Sequence, residues 1–171
     1  MAVVAAASGT SVDGEVVAMQ AADLEHYLHE QIPLSLALAV HVEHAGPELV
    51  RLSAPLAPNL NHRGTAFGGS VASLAILAGW SWLLTRLVHR RPLPRLVIQE
   101  QNVEYLAPID AAFEASCAAP PEAVWRRFLR SLDERGRGRL ELTAEVTSEG
   151  RIAARFRGLY VAIAETRDSG P

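Results

Sequence analysis

The chain has 171 residues, is 49% hydrophobic and carries a formal net charge of −3 at neutral pH. This length suffices for one hydrophobic core and favours a single domain. The slightly negative charge gives no electrostatic basis for binding nucleic acid or an anionic membrane. All 16 basic residues are arginines, and the lone Cys117 excludes an intramolecular disulfide and a cysteine-rich metal site.

The first twenty residues differ in composition from the rest of the chain. They are rich in Ala, Val, Ser and Gly, lack a basic segment, and are interrupted by Asp13 and Glu15. A secretory signal begins with a basic region that precedes an apolar one. We therefore expect a loose tail over residues 1–20, one folded domain over residues 21–165, a short tail over residues 166–171, and a cytoplasmic location.

Hydrophobic periodicity divides the domain into helices and strands. Apolar residues three and four apart indicate an amphipathic helix, whereas strict alternation indicates a strand with one buried face. The predicted helices cover residues 23–31, residues 71–88, and a segment that starts at Pro120 and ends near Gly136. The predicted strands cover residues 34–43, 49–54, 95–105, 111–118, 139–147 and 151–163, with a hairpin turn at residues 148–150.

The first predicted strand follows Pro33, which stops the preceding helix. Alternation places one set of apolar side chains on a single face of this strand. These residues are Leu34, Leu36, Leu38, Val40 and Val42. The last predicted strand instead has apolar residues on both faces near its end, which predicts that the exposed face of the sheet meets another subunit.

The long helix predicted over residues 71–88 is almost entirely apolar. Its length raises the question of a membrane span, but Ser73, Gly79 and Arg86 interrupt it and amphipathic strands follow it. A helix that is apolar all round is also found buried inside a protein core. We therefore predict an α+β fold in which an antiparallel sheet curls around this helix, and no membrane association.

A polar loop precedes the long helix and contains Asn59, Asn61 and His62, and Gly68-Gly69-Ser70 opens the helix. Two glycines allow another molecule to approach the backbone closely. The first N–H groups of a helix have no partner within it and carry partial positive charge, so they bind carboxylates, phosphates or developing oxyanions. The alternative is structural: the loop is an ordinary turn, and Gly-Gly-Ser is only a helix cap.

These residues also carry a resemblance to a known family. The segment Asn61-x-x-Gly64-x-x-Phe67-Gly68-Gly69 resembles the Asn-x-x-Gly-x-x-His-Gly-Gly signature of hotdog acyl-CoA thioesterases. The chain more specifically resembles the YiiD C-terminal-type thioesterase domain over residues 21–165. The motifs that carry this second resemblance are Leu28-His29, Ile32-Pro33-Leu34, Ala54-Pro55-Leu56, Pro58-Asn59, Asn61-His62, Thr65 to Ser70, Leu77 to Trp80 and Tyr105 to Pro108.

The resemblance implies a hotdog fold, in which a curved antiparallel sheet of five to six strands wraps a central helix and two protomers join their sheets. It also implies hydrolysis of an acyl thioester on coenzyme A or an acyl carrier protein, with no cofactor beyond the coenzyme A of the substrate. The protein would form a homodimer or homotetramer. The carbonyl oxygen would bind the N–H of Gly68 or Gly69, and Asn61 would orient the water or the thioester. Substrate contacts are expected from Asn59, Phe67, Ser70, Ser73 and Asn102.

Two positions depart from the resemblance. Phe67 replaces the signature histidine, and Ile76 stands where many hotdog thioesterases have a helix carboxylate. The general base must therefore come from elsewhere, and the sequence offers two candidates. Glu100 lies on the strand predicted to cross the dimer seam, and His62 carries an imidazole, the group that most often serves as a general base. The alternatives are that Glu100 faces solvent and that His62 only holds the loop.

Other functions stay open at this stage. Without a helix carboxylate the site could bind acyl-CoA or an acyl carrier without hydrolysis, and a hotdog dehydratase or hydratase is a third hypothesis. The histidine pairs near residues 26–29 and 41–44 lack a carboxylate or cysteine at metal-ligand spacing, so we predict no metal site. An arginine-rich stretch over residues 126–139 is either a solvated helix face or a site for coenzyme A phosphates.

Overall fold

The computed structural model of the protein describes residues 19–165. The helices are α1 (Ala21–Gln31), α2 (Pro33–Ala37), α3 (Gly68–Leu87) and α4 (Glu122–Arg135). The strands are β1 (His41–Ala45), β2 (Leu49–Ala54), β3 (Arg95–Tyr105), β4 (Phe113–Ala118), β5 (Arg137–Ser148) and β6 (Arg151–Ile163). Both predicted tails lie outside the described residues except for residues 19 and 20, where Met19 packs against the core.

The six strands form one antiparallel sheet in the order β1-β2-β4-β5-β6-β3. Helix α3 contacts β2, β3, β4, β5 and β6, so the sheet curves around it as the sequence predicts. Among residues 19–165, α3 alone has the length and apolar composition of a membrane span, and 67% of its most apolar window is buried. It is therefore packed as the core helix of the sheet.

The prediction for the first strand is wrong over its first half. Residues Pro33–Ala37 form α2, and the strand begins only at His41. Proline is well suited to the first position of a helix, because its missing N–H has no partner there in any case, so Pro33 starts a helix as well as ending one. Leu34 and Leu36 are consequently 51% and 61% exposed, whereas Ser35 is buried.

The central helix begins three residues earlier than predicted. Phe67 is its N-cap in an extended conformation, so Gly68 and Gly69, expected to open the helix, are its first two residues. The end of α4 agrees closely with the prediction: Gly136 follows it with a φ of 65°, a left-handed conformation that glycine adopts without steric cost.

Helix α4 packs against the C-terminal part of α3 through aromatic side chains. Trp82 meets Trp125 edge to face at a centroid distance of 5.3 Å, and Trp125 stacks on Phe128 at 5.1 Å. The Arg86 guanidinium lies 5.5 Å from the centre of the Trp125 ring, within the range of a cation–π contact. Helix α4 is therefore held against α3 by aromatic packing.

Strand β3 is an edge of the sheet and contains a bulge at Gln99. Ile98 pairs with Tyr160 and Glu100 pairs with the next residue, Leu159, so Gln99 has no partner on β6. Residues that are directly opposed on neighbouring strands lie on the same face of the sheet. Tyr160 lies on the face that contacts α3, because its hydroxyl donates a hydrogen bond to the Ile76 carbonyl at 2.8 Å. Ile98 therefore faces the helix, whereas Glu100 faces away from it.

Cys117 is fully buried on β4, and burial raises the pKa of its thiol to about 12. The thiolate is the reactive form, so we expect no alkylation of the folded protein by iodoacetamide at pH 8 and rapid alkylation after denaturation. Mass spectrometry of the two samples measures the difference. Complete alkylation of the folded protein within minutes would contradict this burial.

Candidate active site at the start of the central helix

The loop before α3 is folded around the side chain of Asn61. Its amide nitrogen donates to Thr65 Oγ1 at 2.8 Å and to the Ala66 carbonyl at 3.2 Å. Its Oδ1 accepts the backbone N–H groups of Arg63 at 2.7 Å and Thr65 at 3.3 Å. This is the local side chain-to-backbone bonding that asparagine favours in turns. The side chain predicted to orient a water molecule thus holds the loop.

The loop is anchored on both sides of the site. Phe67 donates its N–H to the Asn59 carbonyl at 2.7 Å, and Ala66 donates to the Ile109 carbonyl at 2.7 Å. Gly64 turns the loop with a φ of 79°, where a larger residue would be strained. The chain therefore enters α3 at a fixed position and angle.

The first two backbone N–H groups of α3 are free within residues 19–165. Ser70 and Val71 both donate to the Phe67 carbonyl, at 2.9 and 3.1 Å, and no side chain caps the helix. The N–H groups of Gly68 and Gly69 have no acceptor in the described part of the chain. Two unpaired donors at the positive end of a twenty-residue helix can stabilise negative charge on an oxygen.

Two aromatic rings flank these donors. A side chain at Gly69 would place its Cβ 2.3 Å from Cε1 of the Phe67 ring, and a Cβ at Gly68 would lie 3.3 Å from the Tyr105 ring. The Tyr105 hydroxyl donates to the Gly68 carbonyl at 2.7 Å. Both rings are more than half exposed. The glycines thus allow the rings to approach the first turn closely.

An apolar groove of about 380 Å³ opens beside the first turn of α3. Its lining residues are Ala66, Gly68, Val71, Tyr105, Leu106, Ala107, Pro108 and Ile109. The segment after β3 is held in place by Leu106 and Ala107, which donate to the Ala153 carbonyl at 2.8 and 3.2 Å. A groove of this size and lining suits an apolar chain whose polar end lies at the helix start.

Three residues predicted to touch substrate have their polar groups turned to the protein or buried. Asn59 is 1% exposed and donates to the carbonyls of Leu38 and Pro55, at 3.0 and 2.7 Å. Ser73 donates to the Gly69 carbonyl at 2.8 Å, and Ser70 is buried at 8% exposure. The geometry gives Asn59 and Ser73 structural contacts, whereas Phe67 lies exposed next to the free amides.

The two candidate bases lie in different places. His62 is exposed on the loop and makes no side-chain hydrogen bond within the described residues. Glu100 and Asn102 are exposed on the face of β3 opposite to α3, opposed by Leu159 and Arg157 of β6. Within one protomer the sheet therefore separates Glu100 and Asn102 from the amides of Gly68 and Gly69.

The described residues contain no group of three histidine, cysteine or acidic side chains that could hold a metal ion. Helix α3 has no carboxylate. Ile76, the position at which many hotdog thioesterases have an acidic residue, is half-buried. Tyr105 is the site residue that sequence reasoning missed. An aromatic residue at the end of an otherwise polar strand segment is a weak signal, and the bulge at Gln99 hides which face it occupies.

The fold and this helix start define a hotdog protein of the thioesterase class. A family model described as "Putative thioesterase (yiiD_Cterm)" matches residues 21–164, and the chain belongs to that family. A protein from Shewanella oneidensis, described as a putative thioesterase, is 29% identical with a TM-score of 0.72, covering 84% of this chain and 96% of that one.

Two further solved structures share the fold. A probable thioesterase from Pseudomonas aeruginosa is 24% identical with a TM-score of 0.73, covering 83% of this chain and 94% of that chain. A protein of unknown function from Chlorobaculum tepidum is also 24% identical, with a TM-score of 0.79, 88% of this chain covered and 100% of that chain. The predicted hotdog fold is thereby confirmed.

Proposed function

We propose that this protein hydrolyses acyl thioesters of coenzyme A or of an acyl carrier protein at the start of α3. The observation that carries the proposal is the pair of unpaired N–H groups of Gly68 and Gly69 beside an apolar groove. The acyl chain occupies the groove and the thioester carbonyl oxygen accepts hydrogen bonds from the two amides. Membership of the thioesterase family supports the reaction class.

The reaction begins with a water molecule adding to the carbonyl carbon. The C=O electron pair moves to oxygen, and the oxyanion gains most from the two amides because its charge is larger than that of the carbonyl. A general base takes one proton from the attacking water, the C–S bond then breaks, the base passes that proton to the leaving thiolate, and the free acid remains. Because α3 carries no carboxylate, His62 is the base candidate on the same loop as the oxyanion donors.

We propose a homodimer formed through β3. The strand is eleven residues long, one edge of its backbone has no partner strand within residues 19–165, and Val97 on it is 40% exposed. Such an edge is a template for pairing with another strand. Residues 100–105, after the bulge at Gln99, form an uninterrupted stretch of this edge. A two-fold axis there would make the pairing antiparallel, as is usual for two identical strands.

Cysteine crosslinking tests this interface. Cys117 is buried, so a cysteine introduced singly at position 100, 101, 102 or 104 is the accessible thiol among residues 19–165. We expect mild oxidation to give an intermolecular disulfide for at least one of these variants. Glu122→Cys on the exposed surface of α4 is the control and should stay uncrosslinked. A monomer mass by light scattering at micromolar concentration would contradict the dimer.

The loop position of Asn61 gives a separate expectation. Asn61→Ala removes four local hydrogen bonds and should lower the free energy of unfolding by about 1–2 kcal/mol, with a fall in hydrolysis because the helix start shifts. Asn61→Asp keeps the acceptor oxygen and should lose less stability. Denaturant unfolding and thiol release measure the two effects. An Asn61→Ala protein of unchanged stability with abolished hydrolysis would instead assign this side chain to the chemistry.

The direct test of the proposed function is a panel of acyl-CoA thioesters of increasing chain length, with thiol release followed spectroscopically. We expect saturable turnover for at least one chain length. The second candidate function, binding of acyl-CoA without hydrolysis, is favoured by the absence of an acidic residue from α3. Calorimetric binding of acyl-CoA with no release of thiol would select that second function.

A further inference from the structure

A second cleft lies away from the helix start, between α4 and the beginning of β5. It encloses about 800 Å³. Its lining residues are Ala123, Arg127, Phe128, Arg130, Ser131, Glu134, Arg135, Arg137 and Arg139. Five arginines against one glutamate give the cleft a strong positive charge, although the whole chain carries a net charge of −3.

None of the five cleft arginines has a carboxylate within ion-pair distance in residues 19–165, whereas six of the ten described arginines outside the cleft are ion-paired. The ion-paired arginines are Arg51, Arg90, Arg126, Arg151, Arg155 and Arg157. Among the cleft arginines, Arg139 donates to Gln99 Oε1 at 3.2 Å. Like charges held together without counter-charges are unfavourable in the empty cleft, and an anion would remove that repulsion.

Two of the three acidic side chains of α4 are absent from the cleft lining. Glu122 lies 3.8 Å from Arg126, which is outside the cleft, and Asp133 pairs with Arg90. The Arg90 guanidinium holds the pKa of Asp133 below its usual value. Glu134 alone lines the cleft, without an ion pair, and opposes anion binding there. The negative end of the helix dipole stabilises a cation in the last turn, which explains an arginine at position 135. Arg127 and Arg130 lie too far from that end for this explanation.

Hydrogen bonds hold the two elements of the cleft together. The Ser131 hydroxyl donates to the Arg137 carbonyl at 2.8 Å, which ties α4 to the start of β5. Gly136 is the one residue between the two elements, and its carbonyl accepts the N–H of Ala164 at 2.8 Å. A concave cleft with a volume of this size fits a small molecule. A stable protein–protein interface instead buries about 800 Å² of surface on each partner.

We propose that this cleft binds the phosphate-bearing nucleotide end of coenzyme A, an inference that rests on the proposed acyl-CoA hydrolysis. The nucleotide presents a 3′-phosphate and a 5′-diphosphate, and arginine binds such groups through paired N–H donors. Trp82, which contacts α4, lies 14 residues after Gly68, about 21 Å along α3 at 1.5 Å per residue. A separation of this order suits a substrate whose long pantetheine arm lies between its phosphates and its thioester.

Calorimetry with 3′,5′-ADP tests the site without any turnover. We expect binding to the unmodified protein, and about tenfold weaker binding to Arg127→Ala and to Arg130→Ala. Arg126→Ala is the matched control, because it removes the same charge from the neighbouring position of α4 outside the cleft. Inorganic phosphate and 5′-ADP are the comparison ligands, and both should bind more weakly than 3′,5′-ADP.

Several results would overturn the inference. One is a lack of 3′,5′-ADP binding at millimolar concentration. Another is a loss of affinity in Arg126→Ala equal to that in the cleft variants. The third is an affinity for inorganic phosphate equal to that for 3′,5′-ADP. A second measurement separates this site from the reaction itself. In Arg127→Ala the KM for acyl-CoA should rise about tenfold with kcat unchanged, whereas the KM for the N-acetylcysteamine thioester, which has no nucleotide, should not move.

The two proposals fail in different ways. Hydrolysis of acyl-CoA with a KM that Arg127→Ala and Arg130→Ala leave unchanged would reject the cleft and keep the thioesterase. Binding of 3′,5′-ADP that is lost in the cleft variants, in a protein that releases no thiol from any acyl-CoA, would keep the cleft and reject hydrolysis. A third outcome is hydrolysis of the thioester on an acyl carrier protein with a KM that depends on Arg127, together with no binding of 3′,5′-ADP. That outcome would assign the cleft to a protein partner instead.

Discussion

Replacing Gly68 with proline should lower thioester hydrolysis by about 10²–10³-fold in kcat, the usual effect of losing one oxyanion donor. Proline removes the backbone N–H and nothing else that α3 needs, because the first helical position has no intrahelical acceptor and tolerates proline. Phe67, the residue before it, already has the extended conformation that a following proline requires, with φ −67° and ψ 130°. Steady-state kinetics with the best acyl-CoA of the panel measure the loss.

Gly68→Ala is the matched control for this variant. Both substitutions bring a Cβ to within 3.3 Å of the Tyr105 ring, so both ask that ring to move by a few tenths of an ångström. Alanine keeps the N–H, however, and should retain most of the activity. If the two variants have the same kcat, the Gly68 amide is not an oxyanion donor. Thermal unfolding of both proteins checks that the helix start is intact.

Replacing Gly79 with alanine should lower the free energy of unfolding by about 2 kcal/mol. Alanine normally stabilises a helix relative to glycine by about 1 kcal/mol. Here, however, the new Cβ would lie 2.5 Å from the Tyr160 hydroxyl oxygen and 2.8 Å from Cζ. Tyr160 is fully buried and its hydroxyl is hydrogen-bonded to the Ile76 carbonyl, so the ring has little room to move. Denaturant unfolding at constant m-value measures the change.

A double-mutant cycle with Tyr160→Phe identifies the clash as the cause. In the unmodified protein Tyr160→Phe removes the hydrogen bond to the Ile76 carbonyl and should cost about 1 kcal/mol. In the Gly79→Ala background it also removes the closest contact, so the same change should cost less or stabilise. Additive effects, or a Gly79→Ala protein more stable than the original, would show that the ring and the helix have space between them.

Most of the fold could be predicted because its signals are local and periodic. Strand β5 alternates buried and exposed residues along its whole length, and α4 ends at the glycine that a left-handed cap requires. The strand prediction is wrong just after Pro33, because Leu-Ser-Leu-Ala-Leu alternates in hydrophobicity like a strand over five residues. The residues instead form a short helix, in which the buried Ser35 hydroxyl donates locally to the Ile32 carbonyl at 2.8 Å.

The site could be predicted in its backbone but less well in its side chains. Two glycines at a helix start indicate free amides from sequence alone, and those of Gly68 and Gly69 are free. The roles of polar side chains depend on neighbours that only folding supplies. Asn59 and Asn61 look alike in the sequence, yet one is buried and the other holds an exposed loop. Whether Asn61 or His62 takes part in chemistry stays a prediction.

The extra residue in β3 has a consequence for how this edge tolerates changes in length. Because Gln99 stands outside the pairing, the residues before and after it keep their facing relative to β6 whether or not it is present. Deleting Gln99 would straighten the strand and leave Tyr105 over the first turn of α3. Deleting any residue from 100 to 104 would instead rotate the following side chains to the opposite face. Length variation at this edge is therefore harmless at one position and disruptive at its neighbours.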